Sequence, residues 1–193
     1  KIDDGVFSQC SSLSTLHLAQ GSTSIGAGAF DGCSSLVSVT IPYGVSIIDT
    51  EAFQNCNSLI DISIPKTVRE IGIDTFRYCG SLKSVVLPDS VEFIGYGIFS
   101  HCSNLESVIL SKNIMRISTS AFEGCEKLAN ITIPKSVTSI GRYAFLDCNS
   151  LKYVVVPDSM ASVDAYAFYG CSNLSDVYYS GTEAEWLKMK IAY

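Results

Sequence analysis

LANITIPKSVTSIGRYAFLDCNS, residues 128–150, is the stretch whose reading decides how this chain folds. Its apolar residues step first by three, from Leu128 to Ile131, and then by two, from Ile131 to Ile133. That change of period reads as a turn entering a short strand, with Ile131 and Ile133 inward and Asn130 and Thr132 outward. Pro134 ends the strand, because it has no amide proton to give to a ladder. Ser136 suits the tight turn that follows. The chain returns through Val137 and Ile140 to Gly141, after which Ala144, Phe145 and Cys148 are spaced like one face of a helical turn. A short extended piece followed by one or two helical turns is expected there.

The same pattern recurs every 23 residues in both directions. One column holds Phe7, Phe30, Phe53, Phe76, Phe99, Phe122, Phe145 and Phe168, and three places on stand Cys10, Cys33, Cys56, Cys79, Cys102, Cys125, Cys148 and Cys171. A leucine column runs from Leu13 through Leu128 to Leu174. A fixed period of this length points to a leucine-rich repeat solenoid, in which each coil buries its apolar side chains against its neighbours. The expected fold class is α/β: a parallel β-sheet on the concave face, with short strands and helical turns on the convex face. Residues 1–180 read as eight in-register repeats, the first partial, and 181–193 as a C-terminal capping segment. Because Lys1–Cys10 is only the latter half of a unit, the chain is expected to be a fragment of a protein that extends upstream.

With 47% hydrophobic and 17% charged residues, the composition excludes disorder, and no apolar run is long enough for a membrane span. A net charge of -6 with scattered Lys and Arg opposes nucleic acid and anionic lipid as partners. Equivalent cysteines of successive coils should stack about 4.8 Å apart, as parallel strands do. That separation does not by itself forbid a bond between neighbours. Free, buried thiols packing as small hydrophobes are the favoured reading. A column with one Cys per coil lacks the CxxC pairs and His partners of a metal site.

Little in the sequence speaks for catalysis. His17 falls in an outward strand column and His101 beside a cysteine, and neither has the nucleophile and orienting acid that a triad needs. Asp89 and Asp158 share a column but lie about 14 Å apart, too far for paired acid–base work. No phosphate loop or calcium repeat is present. The chain is therefore read as a non-enzyme with no cofactor and no metal. Asn130-Ile131-Thr132 and Asn173-Leu174-Ser175 fit the glycosylation pattern, which matters only in a eukaryotic secreted product.

What remains is surface. Outward strand positions form columns on the concave sheet, and among their many Ser and Thr residues Val86 with Ile109, and Tyr153 with Val155 and Tyr178, make apolar or aromatic patches. Such patches often mark protein contacts, although strands favour these residue types anyway. After Tyr179 the repeat breaks: Thr182 and Glu185 read as a capping box, with Leu187 and Ile191 on the inner face of a helix and Trp186 beside them.

The pattern LxxVxIPxSVTSIGxxAFxxCxxL resembles the BspA-like leucine-rich repeats of bacterial surface proteins and of some mucosal protist parasites, and the GTxxxW ending at Gly181–Trp186 is similar to endings in that family. The resemblance covers nearly the whole chain. It implies an extracellular or cell-surface, non-catalytic recognition or adhesion module for a protein or glycoprotein. Two other readings stay open: a structural spacer, or an accessory module of a larger extracellular enzyme.

Overall fold

The computed structural model describes residues 1–192; Tyr193, the last residue of the expected cap, lies outside the described residues. Each 23-residue unit makes one coil with two short strands. The first coils contribute β1 (Thr15–Leu16), β2 (Ser24–Ile25), β3 (Ser38–Thr40), β4 (Ile47–Ile48), β5 (Asp61–Ser63), β6 (Glu70–Ile71), β7 (Ser84–Val86) and β8 (Phe93–Ile94). The later ones contribute β9 (Ser107–Ile109), β10 (Arg116–Ile117), β11 (Asn130–Thr132), β12 (Ser139–Ile140), β13 (Tyr153–Val156), β14 (Ser162–Val163) and β15 (Asp176–Tyr179). A four-residue helix, α1 (Glu183–Trp186), and β16 (Lys190–Ile191) complete the described chain.

All pairings are parallel, and in every one that joins successive repeats the partners lie 23 residues apart, as in Val39 with Ile62 or Ile131 with Val154. Odd-numbered strands build one wall and even-numbered strands the other. The odd wall is in three pieces, β1-β3-β5, β7-β9 and β11-β13-β15; the even wall divides between β8 and β10. At that second division Ser118 stands where Gly72, Gly95 and Gly141 stand in other coils. A Cβ on Gly95 would come within 2.4 Å of the Gly72 carbonyl carbon, so coils approach most closely at this column. Ser118 meets the crowding by donating its hydroxyl to the Ile94 carbonyl at 2.8 Å.

Between the walls runs the core. Phe30, Phe53, Phe76, Phe99, Phe122 and Phe145 are fully buried. From Phe7 to Phe168 each ring lies on the next in offset stacks, with centroids 5.1 to 5.8 Å apart. Beside this spine stand the thiols, Cys33 to Cys148 buried, Cys171 half-buried and Cys10 exposed, and none is in a disulfide. Each buried thiol donates to the phenylalanine carbonyl of the preceding coil: Cys79 to Phe53 at 3.2 Å, Cys102 to Phe76 at 3.1 Å, Cys125 to Phe99 at 3.2 Å. The same Phe76 carbonyl accepts the amide of Cys79 at 3.1 Å, so both of its lone pairs are used. Burial pushes the thiol pKa of Cys79, Cys102 and Cys125 well above the ordinary value.

Two expectations need correction. The segment after Gly141 holds no helical turn, and with α1 the only helix among the described residues the fold is a β-solenoid rather than α/β. The segment is a run of tight turns, in which Ala144 donates to Gly141, Leu146 to Tyr143 and Cys148 to Phe145. Helix cannot propagate, because Tyr143 at φ 59° and Asp147 at φ 57° are left-handed. The same two columns are left-handed in every coil, from Gly5 and Gln9 to Tyr166 and Gly170. At the C-terminus the capping box of Thr182 and Glu185 forms, and Trp186 packs edge-on against Tyr179 at 5.3 Å. Leu187, however, is 75% exposed, and Ile191 sits in β16 paired with Val163 of β14 instead of on the helix. A single turn of helix has no room for both residues on one face.

Three outcomes follow from this packing. Phe76→Ala, flanked by a ring on each side, should lower stability by about 3–5 kcal/mol, whereas Phe7→Ala, with one stacked neighbour, should cost much less; urea melts of the two variants compare them directly. The buried thiols should resist labelling in the native state and react nearly completely once denatured without reductant. Since their folded pKa is raised, their contribution to stability is whole below the unfolded thiol value of about 8.5 and is lost as pH rises beyond it, so melts should weaken between pH 8 and 10.

Candidate functional site

Alternation along the odd strands sets which side chains reach solvent. Val86 and Ile109 are direct register partners on β7 and β9, 56% and 62% exposed. Val155 and Tyr178 are partners on β13 and β15, and the Tyr153 ring meets that of Tyr178 edge-on at 5.9 Å. Tyr178 is 55% exposed, Tyr153 is also exposed, and Val155 is half-buried. The fold thus brings Tyr153, Val155 and Tyr178 into one cluster and Val86 and Ile109 into another, with the division between β9 and β11 separating them.

Clefts lie along the odd wall, at both of its divisions and also over the paired strands β1 and β3. One of about 680 Å³ lies between β9 and β11, lined by Val108, Ile109, Leu110, Ile133 and Pro134 together with Lys112 and Lys135. Another of about 600 Å³ lies between β5 and β7, where Asp61, Lys66 and Asp89 contribute charge. The Lys112 amide, then its ammonium, hold the Asp89 carboxyl below its usual range, through contacts of 3.1 and 3.3 Å.

A further set of side chains gathers on the turn side of the coils, a clustering that the sequence alone does not bring out. Tyr78 stacks on His101 at 4.8 Å with Arg77 over the Tyr78 ring at 4.9 Å. His101 is thereby half-buried, its Nε2 3.9 Å from Glu123, while His17 is exposed as expected. Burial pushes the Asp74 carboxyl up, against the opposing pull of Arg77 at 3.5 Å. Three coils on from Asp74, Tyr143 stacks on Tyr166 at 5.6 Å, Tyr166 meets Tyr169 edge-on, and Arg142 lies over both Tyr143 and Tyr166. A signal was available: Tyr78, His101, Tyr143 and Tyr166 occupy columns held elsewhere by glycine, and bulky residues at positive φ call for a reason.

The chain matches the model of the BspA type leucine rich repeat region, in six copies, over residues 1–129 and 93–185. No curated protein matches it in sequence. Among solved structures it is similar to a leucine-rich repeat protein from Bacteroides ovatus, with 27% identity, a TM-score of 0.80, and coverage of 99% of this chain and 55% of that one. It is also similar to a leucine rich cell surface protein from Faecalibacterium prausnitzii, with 28% identity, a TM-score of 0.67, and coverage of 97% and 65%. A leucine-rich repeat protein of T. pallidum shares 29% identity at a TM-score of 0.60, with coverage of 88% and 66%. The chain therefore spans from about half to just under two thirds of the length of these proteins.

Proposed function

The chain belongs to the BspA-type leucine-rich repeat family, and on that premise we propose that it is a non-catalytic, cell-surface recognition module that binds a protein or glycoprotein through the exposed face of its odd-numbered strands. The observation that carries this reading is the cluster of Tyr153, Val155 and Tyr178, two tyrosines in edge contact across adjacent coils. Tyrosine brings large apolar area together with a hydroxyl, at the entropy cost of two side-chain torsions, and is enriched where interfaces carry most of their energy. The backbone beneath is held by coil stacking, so little ordering entropy opposes association. The Faecalibacterium prausnitzii protein similar to this chain is described as a cell surface protein, which supports the same setting here. Val86 and Ile109, farther along the same wall, extend the face toward the N-terminal coils.

An array of glycans and extracellular-matrix proteins supplies the ligand search. Against any ligand so found, Tyr153→Ala with Tyr178→Ala should weaken binding by at least about 2 kcal/mol while circular dichroism stays unchanged. Retained affinity in that variant, with loss in Tyr166→Ala and Tyr169→Ala, would move the site to the turn side.

A further inference from the structure

The division between β9 and β11 is a place where the strand pairing of the repeat lapses. On this wall the central residue of a strand is normally buried, as Val85, Ile131 and Val154 are, yet Val108 of β9 is only half-buried. The two strands belong to consecutive coils and are not hydrogen-bonded to each other. Between them lies the cleft of about 680 Å³, within the range of about 300–1,000 Å³ typical of small-molecule sites. Its apolar walls are Val108, Ile109, Leu110, Ile133 and Pro134.

Its charge is one-sided. Lys112 and Lys135 line it, and no carboxylate does among the described residues. Lys112 is shared with Asp89, whereas Lys135 makes no ion pair among the described residues. The cleft between β5 and β7 lacks this combination, since its Lys66 is outnumbered by Asp61 and Asp89, which would repel an anion. An apolar cleft with an unpaired ammonium suits a ligand with a hydrocarbon body and a single anionic end.

We propose that the fissure between β9 and β11 binds a monomeric fatty-acid anion, the acyl chain lying against Val108, Ile109 and Ile133 and the carboxylate meeting Lys135. The acyl chain would cover the exposed Ile109 and the half-buried Val108, and the ammonium would gain a charge-assisted partner. Ile109 also belongs to the face proposed above for a protein partner, but the acid site does not depend on that reading.

Calorimetric titration at pH 7.5 with octanoate, decanoate and dodecanoate, each below its micellar concentration, tests the proposal. Saturable one-to-one binding is expected, tightening about fourfold per added methylene, as burial of the chain requires. Ile109→Ser, a change at an exposed position that the fold tolerates, should weaken dodecanoate binding about tenfold or more. Lys135→Glu should weaken dodecanoate by a similar factor while leaving dodecanol binding unchanged. The Tyr153→Ala, Tyr178→Ala protein should bind dodecanoate as the wild type does, whatever happens to its protein ligand. Absence of saturable binding, affinity independent of chain length, indifference to both Ile109→Ser and Lys135→Glu, or loss in the tyrosine variant alone would each overturn the assignment.

Discussion

From Phe7 to Phe145, each spine phenylalanine carbonyl is bound twice, by the amide of the cysteine in its own coil and by the thiol of the cysteine in the next, and this joint fixes how one coil lies on another. It ties ring, turn and thiol into one register. A slip of a single residue would unstack a phenylalanine and leave a buried carbonyl one partner short, while placing outward side chains in the core. With neighbours alone in contact, stability adds coil by coil and no central core is needed.

That regularity explains what could be read beforehand. Phenylalanine, cysteine and leucine at constant spacing reveal the period, and period fixes both the stacking and the parallel pairing. The turns after the glycine column depart from the expected helical turns, because Ala144, Phe145 and Cys148 at steps of one and three fit a helical face and a run of tight turns equally well. Only the backbone angle at Tyr143 and Asp147 separates the two, and that preference was masked by the mixture of Gly, Asp, Asn, Tyr and His in those columns. The capping box at Thr182 was legible because it is local, whereas the fate of Leu187 and Ile191 depends on β14 accepting a further strand.

The sites were legible in a different measure. Tyr153, Val155 and Tyr178 could be placed together, since alternation and register follow from the repeat. The fissure between β9 and β11 could not, for nothing in the strand sequences marks where pairing lapses. Ser111, in the proline column just after β9, is the departure beside it. Ser111 turns its hydroxyl into the preceding coil, donating to Val91 at 2.6 Å. An interior this constrained leaves variation to the outward columns, so a repeat pattern specifies the scaffold and leaves its ligand to the few exposed residues that interrupt the Ser and Thr background.

The joint between coils is most directly tested by the infrared S–H stretch of the native protein, a region free of other protein bands. If the thiols of Cys33 through Cys171 each donate to a phenylalanine carbonyl, the spectrum should show one dominant band displaced to lower frequency, with a weak component from exposed Cys10. Unfolding should return the whole band to the free-thiol position. A native band already at that position, or no S–H band at all, would contradict the account.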